Sequence, residues 1–435
     1  MQLRQLLHFA TFALLVSAIA LVARAQAPSQ MPLATPPQGP VRITLDEAVQ
    51  IALTHNHTLL AERTTINQNQ AQEITANLRP NPVLTLDSQF IPIFSPQNLS
   101  GTYIDDVAQF DAGVSYLFER GDKRQRRLQA AKDQTAETRS TVADNERTFT
   151  NNVATQFINA LLAESTLDLA NSDLKGFQQT VDIGQEQYKA GDISEGDLLK
   201  IQLQLLQFQT DVSQARLARV QALTMLRQFL GYGSVPADYD VAGDLAYQAI
   251  TVGKEDLQAM ALRQRPDLLA AHQAVIAAKS QYDLAKANGK QDVTLTFDYD
   301  HVSASNNGSF FFNMNLPIFN RNQGEIARTN FVIDESVEQE KAASETVMSD
   351  VENAYEGLRT NNEVIQLYQN GYRDQATKSR DISKFAYEHG AASLLDFLDA
   401  ERSYRAAELA YRQSLASYMM AMEQLREAVG TRTLP

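Results

Sequence analysis

The chain has 435 residues, a net charge of −14 and no Cys. An acidic balance with Lys and Arg largely interspersed argues against a phosphate-binding face, so nucleic acid is not an expected partner. The lack of Cys excludes disulfides, thiolate metal sites, a Cys nucleophile and the acylated Cys of a bacterial lipoprotein. With only 13 Pro and 19 Gly, and long stretches free of both, the composition suits very long helices.

In chain order, residues 1–27 read as a Sec signal peptide. Met1 to Arg4 is positively charged, Leu6 to Val22 is apolar except for His8, Thr11 and Ser17, and Ala25-Gln26-Ala27 is a small-x-small cleavage site. A Pro-rich, polar leader covers 28–43. No later stretch holds 18 uninterrupted apolar residues, so a further membrane crossing must be made of strands.

The remainder is a duplication, 44–240 and 241–435. Residues 45–61 align without a gap on 254–270, putting Leu53 on Leu262, whereas Asp197, Leu199 and Gly231 fall on Asp396, Leu398 and Gly430 at a shorter offset. A period near 200 is too long for a solenoid repeat, so the two halves are expected to be built alike. Each half opens with a continuous helix, 45–78 and 254–288. Two strands with period-two alternation follow: Leu84, Leu86 and Phe90; Phe110 to Phe118; Val293 to Tyr299; Phe310 to Leu316. Their polar faces carry Asp87, Asp111, Asp298 and Asp300, and polar loops (Ser95 to Asp106, Ser303 to Gly308) join them. This is the apolar-out, polar-in pattern of outer-membrane strands, and four are too few to close a barrel alone.

An unbroken helix is expected next in each half, from Lys123 to Tyr188 and from Gln323 to Tyr387, about 100 Å long at 1.5 Å per residue. Return helices run from Asp197 to Leu230 and from Leu395 to Val429. The first carries a broad apolar stripe suited to packing on two neighbours.

On these pieces the mature chain resembles the TolC family of outer-membrane efflux proteins over roughly 44–430. The pieces are the duplicated opening helix, the strand ends Leu316-Pro317-Ile318-Phe319 and Tyr116-Leu117-Phe118-Glu119, and the turn Tyr387-x-x-Gly390 followed by Asp396-x-x-Asp399. The resemblance implies a membrane β-barrel joined to a long α-helical barrel: a homotrimer in which each chain gives four strands to one twelve-stranded barrel. It implies an outer-membrane location in contact with lipid, extending into the periplasm, and two protein partners, a periplasmic adaptor (membrane fusion protein) and an inner-membrane pump of the RND type. Phe118-Glu119-Arg120-Gly121-Asp122-Lys123-Arg124-x-x-Arg127 and Asn81-Pro82 are similar to the CzcC-like branch, whose members pair with heavy-metal pumps; Asp122 interrupts the signature. Drug or solvent efflux and type I protein secretion stay open as alternatives, as does a non-transporting periplasmic coiled-coil protein.

Asp396 and Asp399 stand one helical turn apart, and threefold symmetry would make each a ring. The resemblance puts such rings at the periplasmic constriction. Where relatives carry a latching Arg in the turn this chain has Ala392, with Asp197 and Lys200 across the repeat as candidate substitutes. Gly191 and Gly390 permit tight turns, and the tips they form, with Ser194 and Ser393, are where the resemblance docks the adaptor. No metal site is expected: His55 and His57, two apart on one helix, point away from each other, and Met419, Met420 and Met422 read as core. With no GxSxG, HExxH or phosphate loop in the sequence, neither an enzyme nor a cofactor is expected.

Overall fold

A computed structural model describes residues 40–249, 252–303 and 305–434. The signal peptide, and the leader up to residue 39, lie outside the described residues. All elements below belong to the unit Arg42–Pro435.

The opening helices are not continuous. Each is broken once, at equivalent positions: α1 (Leu45–His55) and α2 (His57–Asn77) meet at Asn56, and α6 (Lys254–Gln264) and α7 (Pro266–Asn288) meet at Arg265. Pro266 explains the second break, because the residue before a proline is pushed out of the α region; Arg265 sits at φ −67, ψ 125. At the first, Asn56 adopts the same extended geometry, and its side chain accepts from the N–H groups of Thr58 and Leu59 to cap α2. Both break residues then reach the end of the return helix of their own half. Asn56 Nδ2 donates to Phe229 O at 3.0 Å, and Arg265 Nη1 donates to Ala428 O at 3.2 Å. The break also separates His55 from His57, so they never share a helix.

Four strands form one antiparallel sheet of order β2 (Val83–Gln89), β3 (Gln109–Phe118), β5 (Val293–Val302), β6 (Ser305–Met314). A separate two-residue parallel pair joins β1 (Arg42–Ile43) to β4 (Asp240–Val241). In the large sheet Leu84 faces Val114, Val114 faces Phe297, and Phe297 faces Phe310, so the apolar residues share one face, and that face is exposed. On the other face Asp87, Asp111, Asp300 and Asn307 lie in one row across all four strands. The polar loop expected from Ser303 to Gly308 is shortened, because pairing continues to Val302 on one strand and from Ser305 on the other, and Ser303 takes φ 52. The first loop is ordered by a short 3₁₀ turn, Pro96–Asn98, and by α3 (Gly101–Asp106).

Helix α4 (Lys123–Ala190) runs unbroken for 68 residues and returns as α5 (Glu195–Leu230). Its partner in the second half does not stay straight. α8 (Gln323–Leu367) is separated from α9 (Arg373–Glu388) by a kink in which Asn370 and Gly371 leave helical geometry and Gly371 reaches φ 118. A backbone angle of that kind is open to glycine at little steric cost. α10 (Leu394–Val429) returns, packing on α4, α8 and α9. Each half has its own core. Ala52, Val153, Phe157, Leu226 and Leu230 pack together in the first, and Ala261, Val351, Leu358, Leu425 and Val429 in the second. Phe157 is 2% exposed, and burial of such a ring contributes about 1.5–3 kcal/mol. Met422 lies in the second core and Met419 packs against the first.

Candidate functional site at the hairpin tips

The same run of chemistry builds both tips: Tyr188, Gly191, Ser194 and Asp197 in one, Tyr387, Gly390, Ser393 and Asp396 in the other. Gly191 (φ 85) and Gly390 (φ 70) end the descending helices in the left-handed region. The bonds Asp192 N–H to Gln187 O (2.9 Å) and Ala391 N–H to Ala386 O (2.7 Å) close a Schellman turn on each. Ser194 and Ser393 are N-caps of α5 and α10, accepting from the N–H groups of Asp197 (3.1 Å) and Asp396 (3.2 Å). Each hydroxyl also donates to its Asp carboxylate, at 2.9 and 2.7 Å.

Asp396 is therefore engaged in a capping box, and Asp399 lies one turn further on, its side chain 70% exposed, with Arg402 at 3.4 Å. Lys200 pairs with Asp197 of its own helix at 3.0 Å. Their i, i+3 spacing lets the two satisfy each other on one helix. Lys200 and Ser194 together hold the Asp197 carboxyl below its ordinary value.

A cleft of about 870 Å³ separates the tips and is lined by Gln187, Ser194, Asp197, Lys200, Tyr387 and Ser393, among others. Gly390 lines it too, whereas Asp396 and Asp399 do not. Among the described residues the buried Tyr387 hydroxyl and Gln187 Oε1 have no hydrogen-bond partner. Above the cleft the hairpins are held together by a run of rings. Phe208 stacks on Phe177 with centroids 4.6 Å apart, Phe177 faces Phe397 at 6.4 Å, and Phe397 stacks on Tyr387 at 5.5 Å. Higher still, Arg405 of α10 pairs with Asp173 of α4 at 3.1 Å and with Asp211 of α5, its guanidinium lying 4.3 Å from the Phe208 ring centre. Apart from Tyr387 in the turn motif, neither the rings nor Arg405 stood out in the sequence. The repeat offers no signal for them, since Tyr188, the counterpart of Tyr387, is 42% exposed while Tyr387 is buried.

The model of a single family, the outer membrane efflux protein family, matches the chain twice, over residues 48–232 and 257–431. The chain belongs to that family. Among curated outer membrane efflux proteins it is similar to the cation efflux system protein CusC of Escherichia coli K12, 28% identical over 264 residues, which are 58% of this chain and 57% of CusC. The match thus spans little more than half of that relative's length. The toluene efflux pump outer membrane protein TtgF of Pseudomonas putida is 25% identical over 294 residues, 64% of this chain and 60% of TtgF. Among solved structures a CusC crystal structure superposes with a TM-score of 0.73 at 20% identity, covering 94% of this chain and 99% of that one. At that identity the likeness speaks for the fold.

Proposed function

We propose that this protein is the outer-membrane exit duct of a tripartite efflux system: a homotrimer that passes substrate from an inner-membrane RND-type pump and a periplasmic adaptor to the exterior. The sheet carries the reading. Its four strands expose an apolar face and leave β2 and β6 at open edges, which a bilayer does not tolerate and which only closure with other copies removes. Three copies give twelve strands, within the range of bacterial barrels. A second feature supports the trimer. On α5, Leu199, Leu203, Leu206, Leu217 and Val220 follow the three-four spacing of a coiled-coil seam whose intervening positions are Thr210 and Ser213, yet each is 51–67% exposed in the single chain.

In this reading the chain is two repeats, 44–240 and 241–435, carried to the periplasm by the segment 1–27. The adaptor docks at the tips around Gly191, Ser194, Gly390 and Ser393. The unpartnered Tyr387 hydroxyl and Gln187 carbonyl in the cleft suit such docking, because buried polar groups in native structures are almost always bonded. Rings of Asp396 and Asp399 form the periplasmic constriction, with Asp197 and Lys200 at its margin, and select cations. A duct of this kind requires no catalytic residue and no cofactor. Heavy-metal cations are the proposed cargo, on the junction motif from Phe118 to Arg127 and the similarity to a relative named for cation efflux; similarity to a toluene efflux protein supports solvent as the second reading.

Mass measurement in detergent tests the assembly: a folded monomer that keeps its strands overturns it. Cys introduced at Ser194 or Ser393 is the sole thiol in the chain, and should form adducts with an adaptor while Cys near the strands does not. Loss of the gene should sensitise cells to heavy-metal salts under the first cargo reading, and to toluene under the second.

A further inference from the structure

We propose that the helix-side rim of the sheet is a binding surface for anionic phospholipid headgroups, centred on Arg120 and Lys290. The inference rests on the reading of the sheet as membrane-spanning. From Pro80 to Phe118 and from Gln291 to Asn320 the chain has no Lys or Arg, so the strands and their far loops carry none. At the helix end every strand has one nearby: Arg79 before β2, Arg120 after β3, Lys290 before β5 and Arg321 after β6. All four are exposed. Among the described residues none of them is in an ion pair, although the neighbouring Lys123, Arg126, Arg127 and Arg328 are all paired, with Asp292, Asp283, Glu119 and Glu325. The carboxylate of Asp292 is taken by the Arg120 backbone N–H and the Lys123 ammonium, and that of Glu119 by Arg127.

Of the two central cations, Arg120 lies on the apolar face, and the stem of Lys290 passes the residue next to it. Arg120 continues the outward parity of Phe110, Val114 and Phe118, and its Nη1 lies 3.8 Å from the sulfur of Met314 on that face. The stem of Lys290 crosses directly over Gly121, so closely that a Cβ there would fall 2.3 Å from Lys290 Cδ. An exposed cation without a counter-ion attracts an anion. Beside them Phe118, Leu316, Ile318 and Phe319 are 47%, 69%, 63% and 90% exposed. A phosphate acceptor above and an apolar chain along the strands is the chemistry of a phospholipid: guanidinium and ammonium donate to phosphodiester oxygens, and the rings and aliphatic groups cover the acyl chain. β3 and β5 are the inner strands of the sheet, so a copy joining at β2 or β6 leaves this rim open to lipid.

The test is native mass spectrometry of the full-length protein released from micelles doped with equal phosphatidylglycerol and phosphatidylcholine. Phosphatidylglycerol should be retained preferentially. The preference should fall about tenfold in the Arg120→Gln/Lys290→Gln double variant, persist in Arg120→Lys/Lys290→Arg, and be unaffected by Lys341→Gln, which removes a charge far along α8. Equal retention of the two lipids by the unaltered protein, or an unchanged preference in the double Gln variant, overturns the proposal. Protease protection of the strands in pure phosphatidylcholine vesicles separates the two readings. Protection without a phosphatidylglycerol preference overturns the rim alone, and no protection in any bilayer overturns the spanning sheet as well.

Discussion

At the scale of single residues, local bonding and burial decide what each acidic group does. Asp396 is committed to its helix cap, whereas Asp399 is exposed beside Arg402. Asp399→Ala should therefore weaken cation selectivity and divalent block in planar-bilayer recordings with little loss of stability, while Asp396→Ala adds about 1 kcal/mol of destabilisation from the lost cap. Unchanged selectivity in both variants would place the constriction elsewhere. Glu401 is governed by burial, which raises its pKa, aided by Asp173 and opposed by Arg380 and Arg405. A carboxyl whose folded pKa is raised binds its proton more readily in the folded state. Its effect on stability is most favourable below the unfolded value near 4.5 and declines as pH rises through the folded value. Glu401→Gln should accordingly melt higher at pH 7, by on the order of a few °C, with the difference closing below pH 4.5. A variant that melts lower at pH 7 contradicts this account.

Among the elements, the two halves diverge at one place. α4 is unbroken where its counterpart is interrupted at Tyr368–Tyr372. Just past the bend, Arg373 donates to the buried Glu408 of α10 at 2.5 Å and lies 5.0 Å from the centre of the Tyr411 ring. The bend therefore sits beside an anchoring point between α9 and α10. Gly371→Ala imposes a side chain on a backbone angle that L residues rarely adopt, so chemical denaturation should report a loss of about 1–3 kcal/mol. Hydrogen exchange should show the change spreading from 368–372. A neutral or stabilising substitution would mean that the helix straightens at no cost.

On the scale of the whole molecule, what is missing from the single chain is cover for its apolar surfaces. The strands expose one set, and the α5 seam exposes another on a helix that the proposal puts in the periplasm. Leu203→Glu together with Leu217→Glu removes the centre of that seam without touching the α4 side, where Ile201, Phe208 and Val212 are buried. The double variant should lose the trimer in detergent while its helix content stays unchanged by circular dichroism. A trimer of unaltered mass would show that the seam is not an interface between copies.

The duplication, the four amphipathic strands, the long helices and the chemistry of the tip turns were legible in the sequence, because each depends on local rules. Period-two alternation fixes a strand face, and Gly followed by Ser and Asp fixes a turn and a cap. The break before Pro266 was missed, because the periodicity that suggested one helix over 254–288 runs straight through a proline. What only the tertiary structure decided depends on residues far apart in the chain. Asn56 breaks a helix and bonds to Phe229, 173 residues away. Arg405 joins two hairpins by pairing with carboxylates more than 190 residues distant. Tyr387 is buried, where its repeat counterpart is exposed, because Phe397 stacks on it. Lys290 meets Gly121 across the sheet because β3 and β5 pair. No periodicity encodes such meetings; they follow from which surfaces the folded chain brings together.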